Sequence, residues 1–177
     1  MSQPWAGSAR SFRWPVGVER SIARPSSEVW AAISTPGILE LCHPFCLANP
    51  VMSWPGAGSR DEVHYFNGVV YEREILEWID GVGYSLEIGE HGRETSLVEW
   101  RVEAIDPTAS SLAISVYPYL LRRIPPAVRW LPHFVYLGPM LRRYLRSVVK
   151  GFDWYLTRQE PVTRNQFGPH PWFSPDA

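Results

Sequence analysis

The chain has 177 residues, of which 45% are apolar and 20% charged, and its net charge is −1. That length suits one domain with a true core, and the balance excludes a disordered chain or a strongly basic nucleic-acid binder. Its two cysteines, Cys42 and Cys46, are too few for a disulfide scaffold and point to a reduced setting.

Residues 1–14 read as a leader without the apolar run of a signal peptide, and no later window is long enough to span a membrane. The expected location is cytoplasmic. Residues 16–24 alternate as a first strand, with Val16, Val18 and Ile22 on one face and Arg20 interrupting them. Pro25 stops that strand, Ser26 is a candidate N-cap, and Glu28 suits the dipole of a short helix carrying Val29, Trp30 and Ile33. Thr35-Pro36 then opens a second short helix through Leu39 to Leu41.

Residues 51–53 form a short strand, and residues 54–58 turn into the next one. Asn67-Gly68 is a strong hairpin signal, so 59–66 and 69–79 pair antiparallel. Asp80-Gly81 and His91-Gly92 mark two more hairpins, leading to strands at 84–88 and 94–105. After Asp106-Pro107 comes a last strand at 111–117. Strands joined by such short turns build one curved antiparallel sheet.

Residues 118–137 carry Pro125, Pro126 and Pro132 and cannot be one regular element; a connection this long is expected to act as a lid or insert. Gly138-Pro139 signals the start of a long helix, because proline suits the first helical position. Leu141, Tyr144, Leu145, Val148, Phe152, Tyr155 and Leu156 make one apolar stripe, with Arg142, Arg143, Arg146, Lys150 and Asp153 on the other side. At about 1.5 Å per residue the helix crosses a small domain. Phe167, Trp172 and Phe173 in the tail, 159–177, are too large to leave in water, so the tail is expected to fold back. Charge divides unevenly: residues 1–118 carry −7 and residues 119–177 carry +6. The basic third is either a solvated helix face or a contact for an anionic membrane surface.

The run VERSIARPSSEVWAAISTPGIL, with Pro25, Val29, Trp30 and Ile33 at their spacing, resembles the opening of the START-like, Bet v 1-like superfamily of polyketide cyclases, dehydrases and lipid transport proteins. The strand YEREILEW at 71–78 and the closing helix resemble it as well. The resemblance spans about residues 15–158 and omits 118–137 and the QFGPHPWFSP tail. It implies an α+β helix-grip fold: about seven antiparallel strands curved around a long C-terminal helix, with two short helices after the first strand. It also implies a cavity between helix and sheet. Members bind sterols, lipids, quinones, hormones or polyketides, and some are enzymes, so the fold leaves the function open.

Strand alternation supplies the wall of that cavity. Val69, Tyr71, Arg73 and Ile75 share a face, and an inward Arg73 would need an acidic partner or an anionic ligand; a bulge would instead put it in solvent. Val63 with Tyr65 competes with His64 and Phe66 for the inward phase. Tyr84, Leu86 and Ile88; Ser96, Val98, Trp100 and Val102; and Leu112, Ile114 and Val116 complete the inward sets. The expected ligand-contacting residues are His43, Tyr65, Tyr71, Arg73, Tyr84, Trp100, Leu141, Tyr144 and Val148. No cofactor and no metal is expected, since Cys42, His43 and Cys46 lack a second ligand pair elsewhere. His43 and Asp61 are the acid–base candidates if there is chemistry. Three functions fit: a carrier or sensor of a hydrophobic small molecule or lipid, a polyketide cyclase, aromatase or dehydratase, and a membrane-surface lipid shuttle through 120–137.

Overall fold

The computed structural model describes residues 14–119, 125, 127–128 and 130–174. The leader apart from Trp14, most of the expected insert before Trp130, and the last three residues of the tail lie outside the described residues.

Eight antiparallel strands form one sheet: β1 (Val16–Ile22), β2 (Cys46–Ala48), β3 (Val51–Ser53), β4 (Arg60–Tyr65), β5 (Val70–Ile79), β6 (Gly83–Gly89), β7 (Ser96–Asp106) and β8 (Ala109–Tyr117). The order across the sheet is β1-β8-β7-β6-β5-β4-β2, with β3 also on β4. Helices α1 (Ser26–Ile33) and α2 (Leu39–Cys42) follow β1, and α4 (Gly138–Arg158) crosses the concave face. This is the α+β helix-grip arrangement. Among the described residues no helix is long and apolar enough to cross a membrane.

Alternation places the core. Val63 and Tyr65 are buried while His64 and Phe66 are half-exposed, which settles the phase of β4. Leu112, Ile114 and Val116 on β8 and Val98, Trp100 and Val102 on β7 are buried beneath the helix. From α4 come Leu141, Leu145, Val148, Phe152 and Leu156, and the Phe152 ring meets Trp100 edge-on with centroids 5.3 Å apart. Arg20, which breaks the apolar set of β1, reaches Asp153 of α4 with Nη2 at 2.6 Å and Nε at 2.8 Å. The helix is thereby tied to the sheet edge by a partly buried ion pair as well as by apolar contact.

Four local expectations are corrected. The sheet has one strand more than the sequence pattern shows, because β2 is three residues long and bulged against β4, too short to alternate. Ser26 is the first residue of α1 and makes no side-chain cap; Pro25, extended at φ −55° and ψ 148°, holds the capping position. Thr35 closes α1 rather than opening α2, its hydroxyl donating to Ala31 O at 2.7 Å. Helical winding also begins before Gly138: a turn at α3 (Trp130–Pro132) and a π-helical turn at His133–Leu137 run straight into α4. At the end of the π turn Gly138 N–H bonds back to His133 O, and Pro139, which has no N–H to give, follows in the first turn of α4.

Candidate ligand-binding cavity

Between α4 and the concave face lies a cavity of about 220 Å³. Its sheet wall is built by inward residues of β4 to β8, from Val63 and Tyr65 across to Ile114 and Val116. Leu141, Tyr144, Leu145 and Val148 form its roof on α4 at helical spacing. Of the nine residues expected to contact a ligand, eight line this space: His43, Tyr65, Tyr71, Arg73, Trp100, Leu141, Tyr144 and Val148.

Tyr84 is the exception. It faces inward but stacks on Trp78 and Trp100 and lies beside Trp30 and Trp54, so rings fill the space there. Its hydroxyl donates to Ile33 O at 3.3 Å. A register shift in β5 between Ile75 and Glu77 brings Trp78, not Glu77, opposite Tyr84. Because this bulge falls after Arg73, it does not turn Arg73 outward.

Arg73 is only 5% exposed, and Asp61, directly opposite on β4, is 2% exposed. Nε of Arg73 donates to Asp61 Oδ1 at 2.7 Å and Nη2 donates to Oδ2. Asn49 Nδ2 adds a third hydrogen bond to the carboxylate at 2.9 Å and also donates to Glu62 O at 2.7 Å. Burial opposes the guanidinium charge, but the hydrogen bonds and charge of Asp61 more than offset it and hold Arg73 protonated. A buried ion pair survives only when its remaining polar atoms are satisfied in this way.

His43 and Asp61 do not form an acid–base pair, because each is committed elsewhere. His43 Nδ1 accepts the Phe45 backbone N–H at 3.2 Å, so the neutral ring carries its proton on Nε2, 2.8 Å from Tyr144 Oη. Burial, and then the nearby Arg73 cation, pushes the His43 pKa down to about 3. Tyr144 Oη is in turn 2.9 Å from Tyr65 Oη. Burial raises the pKa of both phenols, which therefore stay protonated. His43, Tyr144 and Tyr65 come from the α2–β2 junction, α4 and β4, and together they form one hydrogen-bonded cluster on the cavity wall.

The tail supplies a wall that sequence reasoning did not place at the cavity. Asn165 N–H donates to Pro44 O at 3.0 Å, Arg143 Nη2 to Pro169 O at 2.7 Å and Asn67 Nδ2 to Trp172 O at 2.6 Å. These bonds carry Phe173 to 4.5 Å, centroid to centroid, from both the Tyr65 and the Tyr144 ring. Phe173 and Trp172 both border the cavity. The ring-rich QFGPHPWFSP run signals burial, but nothing in its spacing gives an address.

No family model and no curated protein matches the chain. Solved structures do match it in fold. DynU16, a protein of the dynemicin biosynthetic locus, aligns with a TM-score of 0.64 at 17% identity, over 85% of this chain and 51% of its own. The chain thus spans about half the length of DynU16. MLL2253 from Mesorhizobium loti aligns with a TM-score of 0.62 at 18% identity, over 83% of this chain and 99% of its own. A Thalictrum norcoclaurine synthase aligns with a TM-score of 0.57 at 12% identity, over 82% of this chain and 95% of its own. The chain shares the fold of these solved structures, the helix-grip arrangement.

Proposed function

We propose that this protein binds a compact, mostly apolar small molecule in the cavity between α4 and the sheet. The observation that carries the reading is the cavity of about 220 Å³ walled mostly by aliphatic and aromatic side chains, with a hydrogen-bonded cluster of His43, Tyr65 and Tyr144 among them. Small-molecule sites have this composition, apolar with a few placed polar anchors. The volume lies below the roughly 300–1,000 Å³ typical of drug-sized ligands, which favours a one- or two-ring guest over a long-chain lipid. A solved protein of the same fold, the norcoclaurine synthase, holds a transition state analogue. A binding role is favoured over acid–base catalysis because His43 donates through Nε2 and the Asp61 carboxylate is occupied by Arg73 and Asn49. Native mass spectrometry after gentle purification tests this: a stoichiometric small apolar adduct is expected. Neither a co-purifying mass nor uptake of any one- or two-ring probe would remove the idea.

A second reading rests on a separate observation. Trp130, Leu131 and Phe134 are each 51% exposed and Val135 is 70% exposed, on a turn leading into a basic helix. Such a surface suits peripheral contact with an anionic membrane. Co-sedimentation with anionic but not neutral vesicles, lost on Val135→Glu, is the expected result; no vesicle binding at low salt would discard it.

A further inference from the structure

We infer that the guest carries a neutral carbonyl oxygen, seated at the Tyr65–Tyr144 hydroxyl pair. This rests on the reading of the cavity as a small-molecule site and specifies its chemistry.

His43 Nε2–H donates to Tyr144 Oη, since its Nδ1 is already an acceptor for Phe45 N–H. Tyr65 and Tyr144 bring one O–H each, but a single hydrogen bond joins the two oxygens, at 2.9 Å. Whichever hydroxyl donates to the other, one O–H is left over. Among the described residues the two phenols have no further hydrogen-bond partner, and both line the cavity. A buried donor left unmade is costly, so the site favours a guest that brings an acceptor.

Charge then selects the kind of acceptor. Among the described residues the only cation on the cavity wall is Arg73, and its charge is balanced by Asp61, with Nε and Nη2 both donating to that carboxylate. His43, beside the two phenols, is neutral. A carboxylate guest would bring an uncompensated charge into an apolar chamber, whereas a ketone or aldehyde brings an acceptor without one.

Binding of naphthalene, 2-acetylnaphthalene and 2-naphthoate, followed by tryptophan quenching at pH 7, tests the assignment. The expected result is that 2-acetylnaphthalene binds about tenfold tighter than naphthalene, and that 2-naphthoate gains nothing over naphthalene. In the triple variant His43→Leu/Tyr65→Phe/Tyr144→Phe, which also removes the His43 Nε2–H that loss of Tyr144 would free, the ketone's advantage disappears while naphthalene still binds, which also shows that the variant is folded. In Tyr65→Phe alone the advantage largely remains, because Tyr144 keeps a free O–H. Equal affinity for ketone and hydrocarbon in the native protein, an advantage that survives the triple substitution, or preference for the carboxylate would each overturn the inference and leave the cavity reading standing. Failure of all three probes would overturn both.

Discussion

Gly151 in the middle of α4 runs so close to the Cys42 carbonyl at the end of α2 that a β-carbon there would overlap the carbonyl oxygen. The glycine is therefore the point where the long helix and the short one touch backbone to backbone. Alanine in an exposed mid-helix position gains about 1 kcal/mol over glycine. At this position the forced separation outweighs that gain, since overpacking costs about 1–3 kcal/mol or more. Gly151→Ala is expected to lower the unfolding free energy by about 2 kcal/mol in urea titration, while the exposed Arg146→Ala changes it little. A neutral or stabilising Gly151→Ala would contradict the close approach.

The Arg73–Asp61 pair makes a sharper test because its parts and its whole should behave differently. Removing one partner, as in Asp61→Asn, leaves a buried guanidinium without its countercharge, and such changes cost about 3–5 kcal/mol. Replacing both, as in Arg73→Met/Asp61→Leu, removes the charges together and is expected to recover most of the loss. A double-mutant cycle on denaturation midpoints reads this directly. If the double variant lost as much stability as Arg73→Met and Asp61→Leu added together, the two groups would not be energetically coupled.

These relationships show where sequence reading succeeded and where it stopped. The apolar stripe of α4, the Asn67-Gly68 turn and the inward sets of β7 and β8 were legible because each follows from a local rule: a helical period, a turn residue or a period of two. Alternation also put Arg73 and Tyr84 on the same face, correctly for both. It could not say that the concave face is hollow beside Arg73 and filled with tryptophan rings beside Tyr84, since that depends on Trp30 and Trp54 arriving from α1 and a loop. The His43–Tyr144 bond joins residues 101 positions apart, and no local pattern encodes it. β2 and the placement of Phe173 were missed for the same reason: they are fixed by long-range contacts in stretches with no period.

The burial of His43 predicts an acid sensitivity. In the folded chain its pKa is pushed down to about 3, whereas an exposed histidine titrates near about 6.5. Between these values the unfolded chain binds the extra proton, so the contribution is complete above about pH 6.5 and is lost as the pH falls toward 3. Burial likewise lowers the pKa of His170 and His133, which pull in the same direction. At pH 5 the native protein is expected to have lost about 2 kcal/mol through His43 that a His43→Gln variant does not lose. Urea midpoints of both proteins at pH 7.5 and pH 5 check this; parallel losses would show that His43 is not the group responsible.

The tail provides the last prediction. Phe173 is 7% exposed and closes the cavity between the Tyr65 and Tyr144 rings, yet it sits on a segment fastened mainly by single hydrogen bonds rather than by a ladder. Segments of that kind open locally at a smaller free energy than global unfolding. Truncating a core phenylalanine costs about 3–5 kcal/mol where the surroundings cannot yield. Here the tail can detach instead, so Phe173→Ala should cost less than that in global stability. Its main effect should be kinetic: with the wall gone, naphthalene is expected to leave about tenfold faster in stopped-flow chase experiments, with a smaller change in affinity because entry speeds up too. A variant with unchanged dissociation but a full core-sized loss of stability would mean that Phe173 is part of the core and the guest passes elsewhere.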